Sequence, residues 1–249
     1  MKLFFAGYNT CPKILEVDKD IGVLTSYIEC RKKHIPDVGK DLILDSGAFS
    51  AMTRNINIDL DEYIEYIRIN ERYITTYANL DVIGNAQASN DNQEYMERAG
   101  LNPLPTFHYG SDYDHLVNMV RKYDHIGLGG LVPIIHEKNK VANHLSSCWR
   151  IILDNNPKCK VHGWGLASQW ALTKYPFYSV DSTTWLAGGK FRRRVTYKNN
   201  KLHSCNDKQA NKPYSYENIN MHNAHNLIKL VEQADKVWRH RKVGYYAET

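Results

Sequence analysis

Hydrophobic residues recur along this chain in short runs, and each run ends in a small or polar residue that precedes an amphipathic stretch. Seven of the runs are typical of buried β-strands. They span residues 3–7, 41–47, 76–83, 104–110, 125–131, 160–165 and 177–182. The amphipathic stretches, which predict helices, span residues 60–73, 93–99, 113–122, 142–153 and 168–174. This alternation predicts an α/β fold in which parallel strands are joined by right-handed crossovers.

The number of strand candidates favours a (β/α)8 barrel, the TIM barrel. Seven candidates are evident, and we expect an eighth near residues 194–197 or in a degenerate C-terminal turn. The chain has 249 residues, which matches the usual barrel size of about 250. Without a repeat or a Pro-, Gly- or Ser-rich linker, residues 1–249 are predicted to form one compact domain, with 203–249 as a short C-terminal helical extension. A doubly wound open sheet is the main alternative.

Composition narrows the class of protein. Hydrophobic residues make up 43% of the chain and charged residues 24%, which suits a full core and excludes a disordered or fibrous chain. The apolar runs are far shorter than the roughly 18 residues that indicate a membrane span, so we expect no membrane association. The five cysteines form no CxxC pair. We therefore expect free thiols and a cytoplasmic location.

Residues that could take part in catalysis or binding lie where the predicted strands end. Asp45, Asp81 and Asp181 come at the ends of three runs, and His108 comes at the end of a fourth. In a parallel barrel every strand delivers its carboxyl end to the same rim, where active sites are built. Each residue alone has a simpler interpretation, since such an aspartate often caps a helix and such a histidine is often half-buried. Three acids at one mouth, however, would raise one another's pKa unless a substrate or a cation used them.

Four segments of the chain resemble tRNA-guanine transglycosylases. Residues 42–49 (LILDSGAF) resemble the family's DSGGF/YQ segment, and residues 127–131 (GLGGL) resemble its IGGLAVGE strand. Residues 161–165 (VHGWG) are similar to its LMGVGTP strand, and residues 178–182 (YSVDS) fall where the family has DMFDCV. The order and spacing agree over roughly residues 40–190. The resemblance implies a TIM barrel that exchanges a guanine base in a polynucleotide.

Departures from the family pattern indicate one branch of it. Ala48 replaces the second glycine of the first motif, Ser50 replaces its glutamine, and the CxCxxC zinc cluster of the tRNA enzymes is absent. A compact chain with a VDST strand is more similar to the divergent, often phage-borne relatives that place 7-deazaguanine bases in DNA, the DpdA group. The resemblance thus implies a pentosyltransferase that replaces guanine in DNA with a preQ0-type base, in the host cytoplasm if a phage encodes it. The alternative substrate is tRNA.

The resemblance also implies roles for the three acids. Asp181 matches the nucleophile, which would form a covalent sugar–enzyme intermediate by the logic of retaining glycosidases. Asp45, across the mouth, would give a proton to the departing guanine and take one from the incoming base. Asp81 matches the base-recognition acid, whose carboxylate accepts hydrogen bonds from the N1–H and amine of a guanine-like ring.

Five further residues are expected to contact the base. His108, at the position of the family's second glutamine, would bind the edge opposite Asp81 together with the backbone of Gly129, Gly130 and Leu131. The glycines would let the ring lie close to the chain. Phe49, at the aromatic position of the first motif, would stack on the base. The alternative for Phe49 is simple core packing.

A basic segment follows the Asp181 strand and is expected to contact phosphates. Its charges, interleaved with Phe191 and Tyr197, are Lys190, Arg192, Arg193, Arg194, Lys198 and Lys201. A solvated basic loop is the alternative. Trp185 is expected to line the pocket or to wedge into a base step, because a nucleobase must be unstacked before its C1′ can be attacked.

His203, Cys205, His222 and His225 are residue types that suit zinc. Their spacing is unlike the family's, and they suit the flanks of a terminal helix equally well. We therefore expect no cofactor.

Two other functions stay open. One is a different enzyme on the same barrel, such as a sugar-phosphate lyase or isomerase, in which glycines would hold phosphate and His108 or His162 would act as the base. The other is a catalytically inactive nucleic-acid-binding barrel, for which the basic segment alone would suffice.

Overall fold

The computed structural model describes residues 1–206 and 216–247, without the side chains of residues 189 and 190. Its main sheet has eight strands, and every pair of neighbours is parallel. The strands are β1 (Lys2–Ala6), β2 (Ile21–Ser26), β3 (Asp41–Asp45), β4 (Thr76–Tyr77), β5 (Thr106–His108), β6 (His125–Gly129), β7 (Lys160–Gly163) and β8 (Ser179–Ser182). The prediction of an α/β fold with parallel strands is confirmed.

The sheet is curled into a shape compatible with a TIM-like barrel, but its ladder of strands is not closed. The strand order is β4-β3-β2-β1-β8-β7-β6-β5, so β8 pairs with β1 and the seam falls between β4 and β5. Across the seam there is an isolated parallel bridge between Ala78 and Leu104. Two backbone hydrogen bonds support it, from Asn79 N to Leu104 O at 3.1 Å and from Leu104 N to Tyr77 O at 2.8 Å.

Helices connect most of the strands. They are α1 (Tyr27–Cys30), α2 (Ala48–Thr53), α3 (Leu60–Asn70), α4 (Ala86–Arg98), α5 (Tyr113–Lys122), α6 (Lys138–Asn155), α7 (Gln169–Lys174), α8 (Ala187–Phe191) and α9 (Tyr216–Arg241). Local signals set several starts, because the side chains of Asp59, Asn85 and Asp112 accept hydrogen bonds from the first turns of α3, α4 and α5. No helix in the described ranges is both long and apolar enough to cross a membrane.

The expected position of the eighth strand was wrong. The strand missing from the sequence analysis is β2, which enters the sheet between β1 and β3. Two short 3-10 turns, Tyr8–Thr10 and Pro12–Glu16, connect β1 to β2, so no amphipathic helix marks this crossover. Residues 194–197 instead belong to β9 (Arg193–Lys198), which pairs antiparallel with β10 (Lys201–Asn206) in a separate hairpin.

Alternate residues of the strands face two different apolar clusters. Phe4, Ala6, Leu24 and Ile43 form a small cluster with Trp164. Their neighbours along the same strands belong to the main core, which the helices share. Since side chains alternate between the two faces of a strand, the small cluster lies on the concave face of the sheet and the main core lies on its convex face.

The C-terminal helix holds the hairpin of β9 and β10 against the main body. Asn223 of α9 accepts a hydrogen bond from Val195 N at 2.7 Å and donates one to Arg193 O at 2.9 Å. Asn226, one turn later, accepts from Tyr197 N at 2.8 Å. The same helix contributes to the main core. The segment that we expected to be an extension, 203–249, thus includes a helix that is part of the core.

We predict that Asn223→Ala destabilises the protein. The substitution leaves the buried amide of Val195 and the carbonyl of Arg193 without their partners, at a cost of about 2–4 kcal/mol. Urea unfolding measures this cost. The matched control is Lys236→Ala on an exposed position of the same helix, which should stay within about 0.5 kcal/mol of the wild type. Equal midpoints for both variants would contradict the role of Asn223.

Candidate active site

Asp45 ends β3, and its carboxyl group is within electrostatic range of two other acids. Burial raises the pKa of Asp45 from its ordinary value of 3.8 to about 6. A hydrogen bond from the Gly47 amide opposes this rise, while the negative charges of Asp181 and Asp81 add to it. A carboxyl group with this pKa exchanges its proton near neutral pH, which is what a general acid and base requires.

The turn after β3 depends on glycine. Gly47 has a φ of 75°, and a β-carbon there would lie 2.4 Å from the hydroxyl oxygen of Ser26. Ser26 is the register partner of Asp45 on β2. Glycine therefore lets the chain turn sharply enough to present its amide to the carboxyl group of Asp45.

Asp181 is the next-to-last residue of β8, and one of its carboxylate oxygens is held in place. Oδ1 accepts a hydrogen bond from Gly165 N at 2.7 Å. His162 Nε2 lies 3.4 Å from the same oxygen, and its Nδ1 is 2.9 Å from the Ser179 hydroxyl. Both of these contacts are to Oδ1 of the carboxylate.

Asp81 and His108 form a hydrogen-bonded pair. His108 Nε2 lies 3.0 Å from Asp81 Oδ2, while Asn79 Nδ2 donates to Asp81 Oδ1 at 3.1 Å. Burial opposes protonation of His108, but the hydrogen bond and the charge of Asp81 outweigh it and raise the pKa of the imidazole. We expected these two residues at opposite edges of a base. The structure instead pairs them, so a ligand of Asp81 would also meet His108.

The glycines of β6 make room for an indole ring. A β-carbon on Gly127 would lie 2.3 Å from Trp164 Nε1, and one on Gly129 would lie 3.1 Å from the same ring. Trp164 also donates a hydrogen bond to the Thr106 hydroxyl at 3.1 Å. The space over Gly129, where we expected a nucleobase, is thus occupied by Trp164.

The two residues that follow Gly129 differ in exposure. Gly130 is exposed and packs against His108, whereas the side chain of Leu131 is buried.

Two aromatic residues with expected roles at the base differ in exposure. Phe49, on α2 just after β3, is 40% exposed, so it is not a core residue. Trp185 is fully buried, and its Nε1 donates to Ala6 O at 3.0 Å. Its ring packs edge-on against Phe5. The expectation that Trp185 lines the pocket or wedges into a base step was therefore wrong, because the ring is part of the main core.

The basic segment spans α8 and the hairpin. Arg192, Arg193 and Lys198 are exposed and Arg194 is half-buried, while the side chain of Lys190 lies outside the described part. Gln169, at the start of α7, binds the turn of the hairpin, donating to Asn200 O and accepting from Leu202 N. These contacts and those of α9 hold the hairpin against α7 and α9.

The histidines near the C-terminus have other partners. His222 Nε2 is 3.2 Å from the Thr196 hydroxyl, and His225 Nδ1 is 2.7 Å from Met221 O. His203 and Cys205 are exposed on β10. Within residues 1–206 and 216–247, no three His, Cys, Asp or Glu side chains converge as they would around a metal ion.

Two surface cavities lie away from the acids. The larger, about 860 Å³, is lined by Cys11, Lys13, Leu186 and Glu217 among others. The second, about 460 Å³, lies between α1 and α3. Neither is lined by Asp45, Asp81 or Asp181. Charge and hydrogen bonding, rather than cavity volume, therefore mark the candidate site.

Sequence reasoning missed the residues that lie around Asp181. His162 and Ser179 were not assigned to it, and Trp164 was known only as part of a motif. The signal that could have found them is the alternation of side chains along a strand. His162 is two residues from Trp164, and Ser179 is two residues from Asp181. Residues at this spacing face the same side of a strand.

Comparison with protein-family models, curated proteins and solved structures found no match to this chain. The relationship to transglycosylases therefore remains a hypothesis that rests on the four motifs.

We predict that Asp45→Asn makes the protein more stable at high pH. A raised pKa means that the folded state favours the protonated carboxyl group, so the wild type loses stability as pH rises from about 4 through about 6. Asparagine cannot ionise and escapes this loss. We expect a gain of up to about 3 kcal/mol at pH 8 that vanishes below pH 4.

Urea unfolding across this pH range tests the prediction. Asp112→Asn is the control, because Asp112 is exposed and caps α5, a role that asparagine also fills. A gain for Asp45→Asn that is the same at pH 4 and pH 8 would contradict the electrostatic explanation.

A double-mutant cycle tests the packing of Trp164. Gly127→Ala should destabilise the wild type by about 1–3 kcal/mol, because its methyl group collides with the indole. In the Trp164→Ala background most of that cost should disappear. Thermal or urea unfolding provides the four free energies. An equal cost in both backgrounds would show that Trp164 is not what Gly127 accommodates.

Proposed function

We propose that this protein is a pentosyltransferase that replaces guanine in DNA with a 7-deazaguanine base of the preQ0 type. We also propose that its curled sheet functions as a (β/α)8 barrel whose mouth holds the reacting nucleotide. The observation that carries the proposal is Asp45, whose pKa of about 6 arises beside the charges of Asp181 and Asp81. Base exchange requires one carboxylate that attacks and one carboxyl group that transfers protons.

The first step breaks the bond between the sugar and the old base. Oδ2 of Asp181 attacks C1′ of the nucleotide as the C1′–N9 bond to guanine breaks. The electron pair of that bond goes to guanine, and protonated Asp45 supplies the proton that neutralises it. The products are free guanine, a sugar ester of Asp181 and ionised Asp45.

The second step reverses the first with a different base. Ionised Asp45 takes the N9 proton of the incoming 7-deazaguanine, and N9 attacks C1′. The ester bond breaks and its electrons return to Asp181. Because Asp45 ends the cycle protonated, the exchange needs no external acid, base or cofactor. The hydrogen bond from Gly165 to Oδ1 stabilises the carboxylate as the leaving group.

The Asp81–His108 pair supplies recognition of the base. Asp81 accepts hydrogen bonds from the N1–H and amine of a guanine-like ring, and His108 next to it binds the same region of the ligand. A site with such a buried acceptor rejects bases that lack those donors. Exposed Phe49 provides a surface for stacking.

The basic hairpin supplies the affinity for a polynucleotide. Exposed Arg192, Arg193 and Lys198 lie in the segment directly after β8, which carries the nucleophile. The hydrogen bonds of Asn223, Asn226 and Gln169 hold this charge in place. Phosphate contacts of this kind bind DNA and tRNA alike, so the choice between them is left to experiment.

Incorporation of labelled guanine tests the proposal. The full chain is incubated with radiolabelled guanine and either DNA or tRNA, and the polymer and a denaturation-resistant protein–nucleic acid adduct are both measured. We expect label in DNA and an adduct with the wild type. Asp181→Asn should abolish both, and Asp45→Asn should slow incorporation by about 10²–10⁴-fold.

The control variant is Asp112→Asn, which should incorporate label like the wild type. Label in tRNA alone would show that the substrate is tRNA and not DNA. Label in neither polymer, with protein that unfolds cooperatively, would refute base exchange. Binding of nucleic acid that is unaffected by Asp181→Asn, without any incorporation, would support an inactive binding barrel instead.

A further inference from the structure

Exposed apolar side chains are concentrated at one end of the sheet. In the described part of the chain, eleven large apolar residues are exposed. Seven of them lie in segments that follow the carboxyl ends of β3 to β6. One, Tyr113, packs against Phe107, and its hydroxyl contacts His144. The other six are Phe49, Met52, Val82, Tyr109, Val132 and Ile135. We call these six residues the apolar arc. Single exposed apolar residues are ordinary on protein surfaces, but six that share one rim indicate a binding surface.

The topology makes the arc continuous around the rim. β3 pairs with β4, β5 pairs with β6, and the bridge between Ala78 and Leu104 joins β4 to β5. The segments after these four strands are therefore neighbours at the mouth. Met52 is 51% exposed and Val132 is 56% exposed, so the arc has strongly exposed residues on both sides of the β4–β5 seam.

The basic hairpin lies on the other side of the same mouth. It follows β8 and is bound to α7, which lies between β7 and β8. Going around the rim, cationic residues follow β8 and apolar residues follow β3 to β6. The acids of the candidate site come from the same parts of the rim, namely β3, β8 and the segment after β4.

A cationic surface opposite an apolar surface matches the two sides of an unpaired nucleic-acid strand. Phosphates line one side of such a strand and unstacked bases line the other. In a duplex the bases are stacked and paired, so an apolar surface gains nothing from them. The arrangement also gives a place for the neighbours of a flipped nucleotide, a role that buried Trp185 cannot fill.

We infer that the apolar arc binds unstacked bases of one strand, with Phe49 at the reacting base and the other five residues at the bases that flank it, while the hairpin binds the phosphates of the same strand. The occupant is a locally unpaired segment of nucleic acid. This inference rests on the polynucleotide substrate of the proposed function and adds to it the state of the strand that is bound.

Fluorescence anisotropy with labelled oligonucleotides of about 16 nucleotides tests the inference. The full chain is titrated with a single strand and with a fully paired duplex of the same sequence, without free base so that no exchange occurs. We expect the wild type to bind the single strand at least tenfold more tightly than the duplex. The double variant Met52→Ser with Val132→Ser should lose at least about fivefold for the single strand and nothing for the duplex.

Two further variants complete the design. Ile69→Ser is the matched control, because Ile69 is 52% exposed on the last turn of α3. That turn lies just before β4, at the opposite end of the sheet, so both affinities should stay unchanged. Arg193→Ala with Lys198→Ala should weaken both complexes and lower the dependence of affinity on salt. Urea midpoints confirm that each variant is folded.

Three results would overturn the inference. In the first, the Met52/Val132 variant and the wild type bind the single strand with equal affinity. In the second, Ile69→Ser loses as much affinity for the single strand as the Met52/Val132 variant does. In the third, the wild type binds the duplex more tightly than the single strand. Self-association that the Met52/Val132 variant abolishes, with no effect on nucleic acid, would also overturn it by assigning the arc to a second copy of the chain.

The assay separates this inference from the proposed function, since it requires no catalysis. Single-strand binding that depends on the arc, without incorporation of guanine, would refute base exchange and leave the binding surface supported. Incorporation that proceeds normally in the Met52/Val132 variant, with unchanged affinity, would refute the arc alone.

Discussion

The structure at the mouth of the sheet depends on holding a partly buried carboxyl group near two other acids. Asp45 meets this condition through burial and through the charges of Asp181 and Asp81, and its pKa rises to about 6. Such an arrangement opposes folding at neutral pH, so it is maintained only where surrounding packing determines it. Hydrogen-bond donors then hold each acid in place, as Gly47 does for Asp45 and Gly165 does for Asp181.

The packing of Trp164 on the concave face, close to the acids, is also tightly constrained. Trp164 occupies the concave face because Gly127 and Gly129 have no side chains to exclude it. Its ring is edge-on to His162, which in turn lies next to Asp181. A side chain added at Gly127 or Gly129 would displace Trp164. Because Trp164 contacts His162, that displacement would also move the imidazole next to Asp181. This coupling explains why glycines at strand ends can matter for a site without touching a ligand.

The cationic surface is held by a different part of the chain. The amide side chains of Asn223 and Asn226 bind the backbone of β9, and Gln169 binds the turn of the hairpin. Helix α9 also belongs to the main core, so the hairpin is attached to an element that unfolds with the core. The exposed cations of the hairpin are thereby fixed relative to the three acids.

Much of this protein was evident from the sequence alone, because alternation of apolar and polar residues depends only on local geometry. The pattern was sufficient for the α/β class, for seven of the eight strands and for the placement of acids at strand ends. It failed at β2, because the crossover before it has 3-10 turns in place of an amphipathic helix. It also failed at Trp185, since a tryptophan near a predicted site has the same local pattern whether it faces the core or a ligand.

Tertiary structure alone decided which groups meet. The pairing of His108 with Asp81, the indole over Gly129 and the approach of His162 to Asp181 join residues from different parts of the sheet. The exposure of the apolar arc and the fixed position of the hairpin likewise depend on how the strands are ordered around the sheet. Spacing along a chain specifies which face of a strand a residue takes, but distance across the sheet depends on curl and register, which no single segment encodes.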